Sequence, residues 1–241
     1  MRNALLVAGR EIAAYLKSPL GYVVIAAALL CEGIYFYAFA LGAGARLSSE
    51  VLFRFFDGTS FTTMVAAIVL SMRLIAGERE NSTLVLLNTA PIRDGEIIAG
   101  KFLAAFALIV GMTALTFYMP LLISVNGKVA AAHIFVGYLG ILLLGAASLA
   151  IGLFASALSP TQIIAAIVGT VILGTLALLF FVARVTDPPL NTLLSAISPY
   201  PGAMRPFMNG VLKLENVLYY LAVAYFFLLA ATKTLEARRW R

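Results

Sequence analysis

Cysteine and histidine are almost absent from this sequence of 241 residues, which contains one of each. The single cysteine, Cys31, cannot form a disulfide within the chain, and the two residues together are too few for a dedicated zinc-type metal site. Charged residues are also scarce, at 12% of the chain compared with roughly 25% in soluble domains. The sequence therefore predicts neither a disulfide scaffold nor a metalloprotein, and the low charge argues against a soluble domain.

Apolar residues are abundant instead, at 62% of the chain, and the mean hydropathy is +1.00. A soluble fold of this length could not bury so much apolar surface, because soluble domains contain roughly 45–50% apolar residues. The net charge of +6 would suit nucleic acid, but the basic residues lie at the ends of apolar runs. That position is typical of membrane proteins, so we expect a lipid membrane and no nucleic acid as a partner.

Six segments approach the length that a membrane-spanning helix requires. A helix needs roughly 20 apolar residues to cross about 30 Å of hydrocarbon, where no water can satisfy free backbone groups. The predicted spans cover residues 20–41, 58–75, 97–125, 134–158, 163–183 and 214–232. The predicted fold is therefore an all-α membrane protein with six transmembrane helices in one domain, 1–241.

Residues 1–19 predict an amphipathic helix at the membrane surface. Leu5, Ala8 and Leu16 can share one face with Ile12, and Pro19 ends the helix before the first span. An even number of spans places both termini on one side. Of the 17 basic residues, 11 fall on that side and 6 on the other, so both termini are predicted to be cytoplasmic.

The longest predicted cytoplasmic loop, residues 72–96, contains a charged run followed by leucines. Asn81 or Ser82 can cap a short amphipathic helix that carries Leu84 and Leu87 on one side and stops at Pro91. Such a helix either docks a cytoplasmic protein or lies on the lipid headgroups as a solvated connector. The residues alone favour neither interpretation.

The pattern of this loop resembles that of a known family. Its members are the ABC-2 type permeases, and the shared positions are Arg73, Glu78, Arg79, Glu80, Ser82, Thr83, Leu84, Leu87, Pro91, Gly100 and Lys101. The segment 152–162 is similar to the family's turn between the fourth and fifth spans. The segment 210–240 is similar to the gliding-motility-associated and nitrous-oxide-reductase-maturation branches. Ser82 stands where glycine is common in the family.

The resemblance implies a permease subunit of an ABC exporter in the inner membrane. Two such subunits, identical or different, would form a dimer on a separate cytoplasmic ATPase, which would hold ATP and Mg. The loop helix would be a coupling helix, with Arg73, Glu78, Arg79, Glu80, Thr83, Leu84 and Leu87 as ATPase-coupling residues. The alternative is a membrane anchor that relays the ATPase cycle to an accessory protein on the outer face without moving a substrate.

One segment nearly matches a phosphate-binding loop. Residues 95–102 fit GxxxxGK[ST] except that Phe102 replaces the hydroxyl residue that would hold magnesium, and no strand precedes them. We therefore expect this chain to bind no cofactor and to have no enzymatic activity. Lys101 is expected to extend from the third span to the cytoplasmic interface.

Glu32 is the only carboxylate in the first predicted span, about 18 Å from Leu20 at 1.5 Å per residue. A charge at that depth is costly in lipid, so Glu32 should face protein or a cavity. It either lines a translocation path or relays protons, or else it is a neutral, hydrogen-bonded carboxyl at a helix interface. The two interpretations stay open at this point.

Two further patterns concern packing. Ser148, Gly152 and Ser156 form a stripe of small residues along the fourth span, which predicts close helix packing. The outer stretch from Thr186 to Asn209 is rich in proline and apolar residues. It predicts short re-entrant outer helices between the last two spans, which form the extracellular gate in the resembled family, or a simple interfacial cap.

Overall fold

The computed structural model describes residues 2–42, 47–83, 92–127 and 129–239. Within these residues every regular element is helical, and six helical segments are long and apolar enough to cross a membrane. The predicted all-α membrane fold with six spans is confirmed, and short helices lie between the last two spans.

The helices follow one another in the order that the hydropathy pattern predicts. Their bounds are α1 Arg2–Lys17, α2 Pro19–Tyr35 with a π-helical extension Phe36–Leu41, α3 Ser48–Met72, α4 Ala76–Glu80, α5 Asp94–Leu115, α6 Tyr118–Asn126, α7 Ala131–Leu158, α8 Gln162–Ala183, α9 Leu190–Ile197, α10 Arg205–Met208 and α11 Leu214–Arg239. The spans are α2 with its extension, α3, α5 with α6, α7, α8 and α11. Helix α1 coincides with the helix predicted for residues 1–19.

The second and third spans show the most informative differences from the prediction. The second span begins at Ser48, ten residues before the predicted start, because polar residues dilute the apolar signal there. Its first turns are nevertheless regular, with an ion pair of 3.0 Å between Glu50 and Arg54. The third span is interrupted at Thr116 and Phe117 instead of running through. Pro120 explains this break, because a proline lacks the N–H that would bond to the carbonyl of residue i−4 and clashes with it.

Helix α7 is the central element and packs against α3, α5, α8, α10 and α11. Its small residues lie where α3 approaches: a Cβ added to Gly137 would meet the Phe56 ring, and one added to Gly152 would lie 1.9 Å from Ser71 Oγ. Ser156 Oγ donates to the Met72 carbonyl at 2.9 Å and accepts the Ala76 amide at 2.9 Å. The stripe of small residues is therefore a packing surface, as predicted.

The contacts define two ends of the bundle. At the end that we call basal, α1 and α4 lie against the first residues of α5 and the α7–α8 turn. The opposite, apical end contains α9 and α10, with Phe207 buried against Gly140 of α7. Tyr219 and Tyr220, at the apical start of α11, donate hydrogen bonds to the Ile197 and Pro199 carbonyls.

Candidate functional site

The surface helix α1 lies directly on the third span at the basal end. A Cβ added to Gly100 would be only 2.6 Å from the Ala4 carbonyl oxygen, so a residue without a side chain is needed for this contact. Tyr15 is buried and its hydroxyl donates to the Leu70 carbonyl at 2.8 Å. Leu5 and Leu16 remain exposed on another side of α1. One side of α1 therefore packs on the bundle, and another side exposes apolar side chains.

Four charged side chains meet beneath α1, and we call them the basal charge cluster: Arg10, Glu11, Glu78 and Lys101. Lys101 Nζ lies 2.9 Å from Glu11 Oε1 and 2.7 Å from Glu78 Oε1. Arg10 lies 3.1 Å from the same atom of each glutamate. The cluster joins α1, α4 and α5, and its two positive and two negative charges compensate one another.

The predicted position of Lys101 is wrong. Its side chain is 1% exposed and does not extend to the interface. The reason is that α1 covers it and presents one carboxylate, while α4 presents another. A buried ammonium is stable only when its charge is paired and its N–H groups are hydrogen-bonded, and both conditions hold here.

Electrostatics at Glu11 reflect this pairing. Burial alone would raise the pKa of its carboxyl, but the charge and hydrogen bond of Lys101, together with Arg10, hold the pKa below its ordinary value of 4.5. A carboxyl with a lowered pKa stabilises the folded state above the ordinary value and loses that contribution as the pH falls through the lowered one. The contribution of Glu11 to the α1 contact should therefore persist at neutral pH and be lost in acid.

The two residues after Glu78 bind the ends of neighbouring helices. Arg79 donates to the Ser159 and Ala157 carbonyls at the end of α7. The Glu80 carboxylate accepts the backbone amide of Gln162 at 3.3 Å and its side-chain amide at 3.2 Å, at the start of α8. A cation at a helix C-terminus and an anion at an N-terminus are both favourable, because they complement unpaired backbone groups and the helix dipole.

The remaining predicted coupling residues lie close by. The Arg73 guanidinium is 5.1 Å from the centre of the Tyr15 ring and donates to Ser18 Oγ. Thr83 Oγ1 donates to the Glu78 carbonyl, while Leu84 and Leu87 lie outside the described residues. Ser82 has a φ of +59°, a conformation that favours glycine, which agrees with the residue common at this position in the resembled family.

A polar cleft opens at this end of the bundle. It has a volume of about 420 Å³ and is lined by α1, α4, the turn after α4 and the start of α8, including Arg10, Arg73, Asn81, Thr83 and Gln162. Five of the seven residues predicted for coupling, Arg73, Glu78, Arg79, Glu80 and Thr83, are thus brought together at the cleft or beside it. The structure adds Arg10, Glu11, Lys101 and Gln162 to the site. The family resemblance included Lys101 and the segment that contains Gln162, but no sequence pattern connected any of the four residues with residues 78–80.

Glu32 lies in a different part of the molecule. It is 2% exposed at the contact between α2 and α3, and its Oε1 accepts a hydrogen bond of 2.7 Å from Thr62. Its second oxygen, Oε2, is buried without a hydrogen-bond partner in the part of the chain that the structure describes. The position of Glu32 fits a hydrogen-bonded carboxyl at a helix interface. Since Oε2 makes no hydrogen bond within the described residues, a role of Glu32 in proton relay needs a separate test.

We expect Glu32→Gln to retain both assembly and transport across pH. The amide oxygen can accept the Thr62 hydroxyl as the carboxyl does, while ionisation is removed. The measurement is transport by reconstituted protein at several pH values, with size-exclusion chromatography as the check on assembly. Transport lost in a correctly assembled variant would contradict the packing interpretation and support a path or relay.

Six spans, five of them arranged around the central α7, with a polar cleft at the basal end, define a polytopic membrane protein. A family model described as ABC-2 family transporter protein matches residues 13–234 of this chain. The chain therefore belongs to the ABC-2 family, and it is a membrane permease subunit of an ABC transporter. Membership implies partnership with an ABC ATPase and with the membrane. The comparison with curated proteins gives no match.

Proposed function

We propose that this chain is the permease subunit of an ABC exporter, in which a separate ATPase binds ATP and Mg and drives a substrate through the membrane. The observation that carries the proposal is the convergence of α1, α4, the turn after α4 and the α7–α8 turn on one polar cleft. These segments come from distant parts of the sequence, so a protein bound at the cleft would contact several spans at once. That is the arrangement that an external motor requires.

The basal end is the cytoplasmic end in this proposal. The distribution of 11 basic residues on the side of the termini and 6 on the other supports this orientation. It places both termini in the cytoplasm and the apical helices α9 and α10 outside an inner membrane. The ATPase would then approach the cleft from the cytoplasm, where ATP is available.

Coupling would proceed through the contacts of residues 78–80. Glu78 is tied to α1 and α5, Arg79 to the end of α7, and Glu80 to the start of α8. A displacement of this segment by the ATPase would therefore be passed directly to the helices of the bundle. Coupling also requires that the ATPase bind the two conformations of the permease with different affinities. Equal affinities would leave the equilibrium between those conformations unchanged.

A second permease subunit would complete the transporter. The family resemblance supports two subunits, and a closed two-fold or pseudo-two-fold arrangement would give each ATPase copy one cleft. In the alternative function, the chain relays force from the ATPase to an accessory protein on the outer face. The ATPase would dock at the same cleft as in the exporter, and the two functions would differ only at the apical end. Transport by reconstituted protein distinguishes the two, since the relay moves no substrate.

Leu84 and Leu87 give the sharpest test of ATPase docking. We expect replacement of both with aspartate to reduce ATPase co-purification by at least about tenfold, because a docked surface would have to desolvate the new charges. The matched control is Leu212→Asp, since Leu212 is 54% exposed in the apical loop. Reversal of Glu78 is less suitable, because a third cation beside Arg10 and Lys101 would disrupt the fold itself.

The measurement is the ratio of ATPase to permease after affinity purification, together with the insertion of the six spans. If the double aspartate variant had the same ratio of ATPase to permease as the wild type, the loop helix would not be part of the docking surface. Helix α1 would then be the next candidate for that surface.

A further inference from the structure

An apolar groove runs along the outside of the bundle between α2 and α3. Its volume is about 640 Å³, within the range of roughly 300–1,000 Å³ typical of small-molecule sites. The walls include Val23, Ala27, Phe61, Val65 and Val69. From Val23 to Tyr35 the groove follows α2 for about 18 Å, at 1.5 Å per residue. The hydrocarbon of one leaflet is about 15 Å thick, so the groove is long enough for an acyl chain.

The apical end of the groove is polar. Asp57 Oδ2 accepts the Tyr35 hydroxyl at 3.2 Å, and Asp57 Oδ1 accepts the Tyr200 hydroxyl at 2.7 Å. Burial, followed by the hydrogen bond and charge of Asp57, raises the pKa of Tyr200, so that this hydroxyl remains a donor. The groove therefore has an apolar body and a fixed polar end, which is the pattern of an amphiphile.

Beyond Asp57 and Tyr200 lies a second cavity of about 230 Å³, which shares these two residues with the groove. The guanidinium groups of Arg184 and Arg205 lie 4.9 Å and 5.2 Å from the centre of the Phe180 ring. Neither forms an ion pair with a carboxylate of the residues that the structure describes. Two exposed arginines and one carboxylate line this cavity, so its lining carries a net positive charge, and guanidinium groups are well suited to bind phosphate.

We propose that the groove between α2 and α3 binds one acyl chain of an anionic glycerophospholipid from the apical leaflet, with the lipid phosphate on Arg184 and Arg205. The length, the apolar walls and the cationic end each match one part of such a molecule. A second copy of this chain fits less well, because it would have to place an apolar ridge in the groove and an anionic group against Arg184 and Arg205 at the same time.

This site depends only on the geometry of this chain. It does not require that the ATPase dock at the basal cleft or that the chain export a substrate. Lipid binding and ATPase docking can therefore fail or succeed separately.

Cys31 allows a direct test, because it is the one cysteine of the sequence, it is exposed, and it lines the groove. The purified full chain in neutral detergent is titrated with phosphatidylglycerol, phosphatidylcholine or inorganic phosphate, and the rate at which a small maleimide alkylates Cys31 is measured. We expect phosphatidylglycerol to protect Cys31 at a concentration at least about tenfold lower than phosphatidylcholine, because arginines near the surface favour anionic lipid. Phosphate alone should give no protection, since it cannot fill the groove.

Two sets of variants separate the head and the chain of the ligand. Arg184→Gln with Arg205→Gln should reduce the preference for phosphatidylglycerol to within about twofold, whereas Lys213→Gln, at another exposed apical cation, should retain it. Ala27→Trp should fill the groove and slow alkylation without lipid. Its control, Ala26→Trp, changes an exposed neighbour on α2 that does not line the groove, and it should behave as the wild type.

Three results would overturn the proposal. If both lipids protected Cys31 equally, and still did so after the arginine substitutions, Arg184 and Arg205 would not bind the lipid phosphate. If inorganic phosphate alone protected Cys31, the groove would not need an acyl chain to be closed. Protection that follows protein concentration without lipid, with Cys31 of two copies joined by a bifunctional reagent, would assign the groove to a second copy.

Discussion

Replacement of Lys101 with methionine is expected to lower the free energy of unfolding by about 3–5 kcal/mol. Methionine preserves the volume of the side chain but leaves Glu11 and Glu78 close together without the ammonium between them. Arg10 cannot compensate fully, because its side chain is 60% exposed and screened by solvent. The measurement is thermal unfolding in detergent, with the fraction of monodisperse protein recorded after heating.

The triple variant Lys101→Met, Glu11→Gln and Glu78→Gln tests the cause. It removes both negative charges along with the positive one, so most of the lost stability should return. Lys233→Met is the matched control, since Lys233 is 68% exposed and its pair with Glu236 lies on the surface. The control should change stability by less than about 1 kcal/mol. A wild-type melting temperature for Lys101→Met alone would mean that the basal charge cluster does not form as described.

Gly152→Leu should prevent correct packing of the second and fourth spans. Even a Cβ at this position would lie 1.9 Å from Ser71 Oγ and 2.9 Å from Ser71 Cβ, so α3 and α7 would have to separate. Overpacking of a dense interior typically costs about 1–3 kcal/mol, and the rigid contact here favours the upper part of that range or more. The expected result is aggregation or loss of the monodisperse peak on size-exclusion chromatography.

Gly111→Leu is the matched control for this variant. Gly111 also lies within a span, but a Cβ there would meet nothing within 4 Å. The control should purify like the wild type, since both changes add the same side chain to a helical glycine. If the two variants behaved alike, the loss would come from helix propensity or insertion, and the close contact of α3 with α7 would be wrong.

The spans were predictable because lipid imposes a rule that acts along the sequence. Each crossing needs a continuous apolar run, and all six runs could be recognised without knowledge of their neighbours. The early start at Ser48 was missed because Arg54 and Asp57 make the first turns of α3 polar. The break at Thr116 could have been predicted from Pro120, since proline acts on the residue four positions before it.

The basal charge cluster could not be predicted in the same way. Glu11 and Lys101 are 90 positions apart, and Glu78 and Lys101 are 23 apart, so no local pattern connects them. A lysine at the start of an apolar run ordinarily extends to the interface, and only the docking of α1 on Gly100 makes burial possible. The sequence predicted that the charged run 78–80 lies on the side of the termini, and the structure places it beside α1, but no pattern indicated that its side chains turn inward.

The order of the cluster along the chain has a consequence for biogenesis. Both carboxylates precede the lysine, so Glu11 and Glu78 have already been synthesised when Lys101 leaves the ribosome. A lysine buried in protein without a counter-charge is costly, because its ammonium loses water without gaining a partner. Here its two counter-charges are available on segments made earlier. Lys101 of the nascent third span can therefore pair with Glu11 and Glu78 as soon as it is inserted. Helix α1 can complete its contact with the bundle only after that insertion.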